Sequence, residues 1–146
     1  MSLVVLDYGL GNLFNVKLAC EKVGFDCSIT SEKTKMLNAK AVILPGVGAF
    51  GDAMENLRKL DLIEPLKDFV ASGRMLVGIC LGFQLLFSES EEFGSHKGLG
   101  FLQGNVTRFS NPVLKGRTLK IPQICWNQIF FPPQNKQEIA QNAGFV

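Results

Sequence analysis

The sequence of 146 residues predicts an α/β fold built on a doubly wound, mostly parallel sheet. Up to residue 87, short apolar segments of strand length alternate with segments of helical pattern, the element order that a parallel sheet requires. Two of the apolar segments, 41–44 and 75–79, are unbroken, as expected of strands buried on both faces. From residue 88 the pattern changes, and the β-rich stretches 101–109 and 119–131 predict an extension of short antiparallel strands.

The first predicted strand spans residues 3–6, and the amphipathic helix after it ends at Gly24, because glycine favours the left-handed conformation that closes a helix. Asp52 and Glu55 form a capping-box-like start to a later helix that extends to Leu60. The next predicted elements are a strand at 25–30 and a weak helix or loop at 33–40. A further helix has Asp61 and Glu64 at its start and ends at Gly73, and the last predicted helix spans 81–87.

Composition favours one well-buried globular domain, with 47% hydrophobic and only 19% charged residues. The net charge of +2 gives little support to nucleic-acid binding, because the cationic residues are dispersed. No apolar run reaches the roughly 18 residues that a membrane span needs, and the first residues do not resemble a signal peptide. We therefore expect a cytoplasmic protein with no membrane contact.

Four cysteines, Cys20, Cys27, Cys80 and Cys125, are accompanied by a single histidine and show no C-x-x-C spacing. A zinc site or a disulfide framework normally requires such spacing or a larger set of ligands. We predict reduced thiols, no metal and no cofactor.

Gly78-Ile79-Cys80-Leu81-Gly82 falls where the strand at 75–79 meets the helix at 81–87, which predicts a G-x-C-x-G nucleophile elbow. In such a turn one side chain is held exposed in a strained conformation, and the N–H of the next residue, Leu81, contributes to an oxyanion hole. Unpaired N–H groups at a helix N-terminus favour the thiolate form of a cysteine. Gln84 lies one helical turn beyond Cys80 and shares its face. The alternative is a structural cysteine in a tight turn.

Two glycine loops follow other predicted strands, at 7–12 and 45–51. The first departs from the dinucleotide-binding pattern G-x-G-x-x-G, because Phe14 stands in place of the third glycine. The second lacks the G-K-[ST] of a phosphate-binding loop. Loops at the carboxyl ends of parallel strands form binding crevices, and a glycine backbone can turn N–H groups towards an oxyanion; an ordinary tight connection is the alternative.

The segment 78–86, GICLGFQLL, resembles the nucleophile segment of class I (triad-type) glutamine amidotransferases. DYGLGN at 7–12, PGVGAFG at 45–51 and KIPQICWNQ at 120–128 narrow the resemblance to the glutaminase subunits of imidazole glycerol phosphate synthase, the HisH family. That family usually reads P-H-[MI]-G-W-N in the last segment, so Gln123 and Cys125 are departures. The resemblance implies a flavodoxin-like fold and a single glutamine amidotransferase type 1 domain over residues 1–146.

The resemblance implies that the chain hydrolyses glutamine to glutamate and ammonia. The ammonia would pass to a HisF-like cyclase subunit in a heterodimer, which forms imidazole glycerol phosphate and AICAR in histidine biosynthesis. It further implies Cys80 as the nucleophile, Val47 (or Gly48) and Leu81 as oxyanion-hole donors, and Gly48 and Gln84 as substrate contacts. The partner-facing residues that it implies are Tyr8, Gly11, Asn12, Trp126 and Asn127.

The family also carries a His-x-Glu segment near the end of a chain of about 200 residues, the size expected for one such domain, and this sequence does not contain it. Its one histidine, His96, stands in the loop 94–100, where we expect a solvated residue. The chain is therefore expected to lack the C-terminal part of its domain and to hydrolyse glutamine slowly.

Three alternatives stay open at this point: a paralogous subunit for surface-sugar amination, a non-catalytic partner-binding fragment, and a cysteine hydrolase or chaperone of related elbow-bearing families. The last does not explain Gln84 or the loop 45–51.

Overall fold

The computed structural model describes residues 2–110, 113–114, 116–118, 121, 126 and 128. The chain divides into two units, Met1–Arg108 and Phe109–Val146. The helices and strands of the first unit are β1 (Ser2–Leu6), α1 (Leu13–Lys22), β2 (Asp26–Thr30), α2 (Lys33–Asn38), β3 (Ala41–Leu44), α3 (Phe50–Lys59), α4 (Ile63–Ala71), β4 (Met75–Gly78), α5 (Leu81–Gln84), β5 (Phe87–Ser90), β6 (His96–Lys97) and β7 (Leu102–Val106).

Four parallel strands form the main sheet in the order β2-β1-β3-β4. Ile43 of β3 stands opposite both Val5 of β1 and Val77 of β4, so β3 has a paired strand on each side. All four residues of β3 are buried, which explains why its sequence AVIL is an unbroken apolar run. The predicted parallel α/β sheet is confirmed.

Helices cover both faces of this sheet, because alternate side chains of a strand point to opposite faces. Val5, Cys27 and Ile43 form one apolar cluster, against which Val16 and Cys20 of α1 pack. Val4, Leu6, Val42 and Leu44 point to the other face, where they join buried side chains of α2, α3 and α4. Phe50 and Leu57 of α3 and Leu66 and Phe69 of α4 are among the largest buried side chains on that second face.

The elbow helix is shorter than predicted. The sequence predicts a helix over 81–87, whereas α5 ends at Gln84 and Phe87 begins β5. Residues 88–90 belong to β5, in which Ser90 is buried and Glu89 is exposed. β5 pairs antiparallel with β6, which lies in the predicted loop 94–100. β7 lies in the stretch 101–109 that was predicted to form an antiparallel strand, but it pairs with β5 in parallel, so that part of the prediction is wrong.

Helix α3 begins at Phe50, two residues before the predicted capping residue Asp52. Its N-cap is Ala49, which has no side-chain oxygen to accept a hydrogen bond. The carboxylate of Glu92 supplies the acceptor instead, at 2.7 Å from the Phe50 nitrogen. A residue 42 positions away in the sequence therefore replaces the predicted local cap.

In the second unit, β8 (Val113–Leu114) pairs antiparallel with β9 (Arg117–Thr118). Gly116 between them has a φ of 76°. Residues 129–131, which the sequence suggests as an exposed apolar strand, lie outside the described residues. No helix among the described residues is long and apolar enough to cross a bilayer.

Candidate active site

Three loops meet at the carboxyl edge of the main sheet, because parallel strands end on the same side. The loops follow β1, β3 and β4, which are neighbours in the sheet with β3 in the middle. The loop after β3 therefore contacts both others. A Cβ atom built on Gly11 of the first loop would lie 3.3 Å from Cγ of Pro45 in the second.

Cys80 occupies the turn between β4 and α5 with a φ of 55° and a ψ of −117°. Positive φ is costly for a residue with a Cβ atom, and such strain is concentrated at functional sites. The Cys80 side chain is exposed, whereas Cys27 is buried and Cys20 half-buried. The carbonyl of Cys80 accepts the N–H groups of Phe83 and Gln84 at 3.0 and 3.1 Å, which ties the turn to α5.

The glycines that flank Cys80 allow the backbone to pack closely. A Cβ atom on Gly78 would lie 2.5 Å from Cα of Phe83, and one on Gly82 would lie 1.8 Å from the carbonyl oxygen of Leu44. Any side chain at either position would collide with backbone, so glycine is required for packing at both. The G-x-C-x-G pattern thus reflects two close contacts around the exposed thiol.

The loop after β3 packs directly against the elbow. A Cβ atom on Gly46 would lie 2.9 Å from both the Gly82 nitrogen and Cβ of Leu81. The Ile79 N–H donates to the Leu44 carbonyl at 3.0 Å, which extends the pairing of β3 and β4 past the end of β4. Val47 and Gly48 are the next two residues of this loop.

Val47 is exposed, and Gly48 has a φ of 109°, a conformation that favours glycine. Leu81 is the first residue of α5, so its N–H has no acceptor within that helix. Gln84 is half-buried at the end of α5. Because α5 is a single turn, fewer peptide dipoles are aligned at Cys80 than the predicted seven-residue helix would supply.

Tyr8, which the resemblance places at a partner interface, has a buried side chain that is only 1% exposed. Its hydroxyl donates a hydrogen bond to the Pro45 carbonyl at 2.6 Å. The other proposed interface residues differ in exposure: Asn12 and Trp126 are exposed, and Gly11 is half-buried. Asn127 lies outside the described residues.

Glu92 and His96 make contacts with α3 that the sequence did not indicate. Glu92 accepts the Phe50 N–H, and so it fixes the point where the loop after β3 enters α3. His96 belongs to β6, and a Cβ atom on Gly51 would lie 2.7 Å from its Cε1. The ring thus packs half-buried against the first turn of α3 and is not a fully solvated loop residue. Both contacts join distant parts of the chain, so no local sequence pattern could have indicated them.

A cleft of about 500 Å³ lies between α3 and the turn that joins β5 to β6. It is lined by Glu92, Phe93, His96 and Lys97 on one side and by Asp52, Glu55 and Arg58 on the other, together with Ala49, Gly51 and Met54. Cys80 does not line this cleft. Among the described residues, no group of three or more His, Cys, Asp or Glu side chains could hold a metal ion.

Comparison with known proteins agrees with this architecture. Residues 7–123 match the CobB/CobQ-like glutamine amidotransferase domain. A solved structure described as a crystal structure of glutamine amidotransferase matches with a TM-score of 0.62 and 24% identity, over 72% of this chain and 56% of that chain. At this identity the likeness shows the fold alone.

Relatives with higher identity are named imidazole glycerol phosphate synthase subunit HisH. The protein from Bacillus subtilis (strain 168) is 48% identical over 127 residues, covering 87% of this chain and 60% of that protein. The protein from Bacillus velezensis (strain DSM 23117 / BGSC 10A6 / LMG 26770 / FZB42) is 44% identical over 142 residues, covering 97% and 67%. The chain thus spans about 60% of the length of the first curated relatives.

The family match covers most of the chain, and it includes all three loops that meet at Cys80. By these findings, the chain belongs to the glutamine amidotransferase domain family.

Proposed function

We propose that this chain is the glutaminase subunit of an imidazole glycerol phosphate synthase, with Cys80 as its nucleophile. The observation that carries the proposal is the contact between the strained, exposed Cys80 turn and the glycine loop after β3. The contact supports the proposal because a nucleophilic thiol needs backbone N–H donors beside it to stabilise the oxyanion. The names of the relatives supply the pathway, histidine biosynthesis, and favour it over surface-sugar amination.

In the proposed reaction, the Cys80 thiolate attacks the side-chain amide carbon of glutamine. The N–H groups of Leu81 and of Val47 or Gly48 stabilise the oxyanion that develops. Ammonia leaves, a thioester with Cys80 remains, and water hydrolyses that thioester to glutamate. Gly48 and Gln84 hold the substrate beside the thiol.

The ammonia is passed to a HisF-like cyclase subunit, with which the chain forms a cytoplasmic heterodimer. Gly11, Asn12, Trp126 and Asn127 are the proposed contacts with that subunit. The exposure of Asn12 and Trp126 supports this assignment. Tyr8 takes part only indirectly, because its side chain is buried within the chain.

Turnover by the 146-residue polypeptide is proposed to be low. The leaving ammonia must be protonated, and a triad does this with an imidazole oriented by a carboxylate. The only imidazole of this sequence belongs to His96, which packs against Gly51 in α3. Nucleophile and oxyanion donors are thus proposed to be in place while acid–base assistance is missing.

The test is covalent labelling of the purified chain with an α-chloroketone analogue of glutamine, followed by peptide mapping. We expect label on Cys80, and we expect glutamine but not asparagine to slow the reaction. Cys80→Ser should abolish the label, while the matched variant Cys20→Ser should retain it. A labelling rate that glutamine does not lower, or a label on another cysteine, would refute the proposed site.

A further inference from the structure

Tyr8 lies beneath the point where the three loops meet. It lies two residues after the end of β1, is buried, and donates its hydroxyl hydrogen to the Pro45 carbonyl at 2.6 Å. Pro45 is the first residue of the loop after β3, and the proposed donors Val47 and Gly48 follow it. The hydroxyl therefore holds the first residue of this loop by a hydrogen bond.

The same hydroxyl also contacts the next residue of the loop. A Cβ atom on Gly46 would lie 2.5 Å from the Tyr8 oxygen, and 2.9 Å from both the Gly82 nitrogen and Cβ of Leu81. The phenol oxygen and the elbow thus both crowd the side of Gly46 on which a side chain would project. This arrangement links Tyr8 through one glycine to Leu81, which carries the second proposed oxyanion donor.

Tyr8 stays a hydrogen-bond donor at ordinary pH. Burial, and then the negative charge of a Cys80 thiolate nearby, raise the pKa of the Tyr8 phenol. The hydroxyl is therefore neutral when the thiolate forms.

A glycine loop needs such a contact if its N–H groups are to point in one direction. Gly46 and Gly48 have no side chains to limit rotation of the intervening peptides, and Gly48 already has a φ of 109°. Oxyanion-hole donors act only when they are aimed at the place where charge develops. A fixed carbonyl at Pro45 limits the peptide orientations open to residues 46–48.

We propose that Tyr8 is a positioning residue for the oxyanion hole, whose hydroxyl orients the loop 45–48 so that its N–H groups and that of Leu81 converge on the substrate oxygen. This inference rests on the proposed glutaminase function. It replaces the direct partner contact that the resemblance implied for Tyr8. Tyr8 need not touch the substrate, because it acts through Pro45 and Gly46.

The test compares two alkylation rates of Cys80 in the wild-type chain and in Tyr8→Phe, which keeps the ring and removes the hydroxyl. The chloroketone analogue of glutamine passes through a tetrahedral adduct whose oxygen occupies the oxyanion hole, whereas iodoacetamide reacts with the thiol by direct displacement. We expect the chloroketone rate to fall about tenfold in Tyr8→Phe, less than the loss caused by deleting a donor itself. The iodoacetamide rate should stay within about twofold of wild type, because the thiol keeps its exposure.

Phe69→Leu is the matched control, because Phe69 is equally buried but lies in α4, away from the loop. It should lower the melting temperature without changing the ratio of the two rates. If Tyr8→Phe unfolds in buffer, the same rates are measured in concentrated sucrose, which favours the folded state.

The outcomes separate the two proposals. A wild-type chain in which glutamine does not protect Cys80 from the chloroketone refutes the proposed function. A protected wild type together with an unchanged rate ratio in Tyr8→Phe refutes the positioning role alone. A parallel fall of both rates in Tyr8→Phe also counts against positioning, because it indicates a general structural effect.

Discussion

Gly82 packs against the carbonyl oxygen of Leu44 so closely that a Cβ atom on Gly82 would lie 1.8 Å from that oxygen. The oxygen cannot withdraw freely, because it accepts the Ile79 N–H at 3.0 Å. We therefore expect Gly82→Ala to lower the free energy of unfolding by about 3 kcal/mol, the upper end for overpacking. Urea denaturation of the two proteins measures this loss.

Gly73→Ala is the control for that prediction. Gly73 has a φ of 76°, but a Cβ atom at this position would have no other atom within 4 Å, so alanine there meets backbone strain without a collision. Left-handed backbone costs an alanine about 1 kcal/mol. Equal losses in the two variants would show that the contact with Leu44 does not limit residue 82.

The central part of the fold could be predicted because its elements have local sequence signals. The buried strand β3 matches the apolar run 41–44 at both ends, and Gly24 and Gly73 follow the ends of α1 and α4 with positive φ as expected. The Cys80 turn was also predicted, because its G-x-C-x-G motif lies within five residues at a strand-to-helix junction. These signals depend on side-chain size and backbone freedom, which the sequence displays directly.

Features that join distant parts of the chain could not be predicted in this way. Residues 85–87 are apolar and suit a helix, but the helix ends before them. Leu85 and Leu86 are buried in the core, and Phe87 begins β5, where it pairs with Leu102 of β7. Glu92 caps α3 across 42 residues, and Tyr8 holds Pro45 across 37. Tertiary contacts determine the secondary structure and the capping at these positions, and a local sequence pattern does not indicate them.

Cys80 is expected to react faster with alkylating agents than the other described cysteines. It is exposed, whereas burial and then the neighbouring Cys20 thiol raise the pKa of Cys27 to about 11, which leaves little Cys27 thiolate at pH 8. Limited iodoacetamide treatment and peptide mapping give the order of labelling. Faster labelling of Cys20, Cys27 or Cys125 would contradict the elbow assignment; Cys125 lies outside the described residues.

Cys27 is also expected to make stability depend on alkaline pH. Its pKa in the folded chain is raised from 9.0 to about 11, so the folded state holds the proton more tightly than the unfolded state. The stabilisation that Cys27 gains from holding this proton is fully present below pH 9 and is lost as the pH rises towards 11. Within that window this group lowers the free energy of unfolding by at most about 1.4 kcal/mol per pH unit.

Urea denaturation between pH 8 and 11 under reducing conditions tests this pH dependence. Cys27→Ala should be less stable at pH 8, because it leaves a cavity, but its stability should fall less steeply with pH than that of the wild type. If the free energy of unfolding falls equally steeply with pH in the two proteins, the buried thiol does not titrate as proposed.

The outer side of β4 is expected to bind other apolar surfaces. Among the described residues, β4 pairs only with β3, and Met75 and Ile79 on one face are 56% and 40% exposed. An open strand edge with apolar side chains is a template for association. We expect the chain to self-associate at micromolar concentration and to bind a hydrophobic dye, as measured by sedimentation velocity and dye fluorescence.

Met75→Lys should reduce both effects, because a charged side chain on an edge strand opposes pairing. Val23→Lys is the matched control: Val23 is 71% exposed but stands at the end of α1, away from β4. A monodisperse, dye-silent wild type would overturn the prediction, and so would an equal effect of the two lysine variants.

The last prediction concerns turnover by the 146-residue polypeptide. The Cys80 turn and the loop after β3 are the proposed source of the nucleophile and the oxyanion donors, but α5 is only one turn long and its dipole is a weak substitute for a base. General acid–base assistance is worth about 10² to 10⁴-fold, and the departing ammonia needs a proton. We expect glutaminase activity at least about 10³-fold below that of a full-length relative, with or without a cyclase subunit.

Glutamate release measures this activity, with Cys80→Ala as the blank and His96→Ala as the diagnostic variant. His96 carries the only imidazole of the sequence, and its ring packs on Gly51, so its removal should leave the residual rate unchanged. Activity within about tenfold of a full-length relative that is lost in His96→Ala would identify His96 as the base, because loss of a base costs at least that much. That result would require the β5–β6 turn to bring His96 to Cys80, and the proposed account of acid–base chemistry at this site would then be wrong.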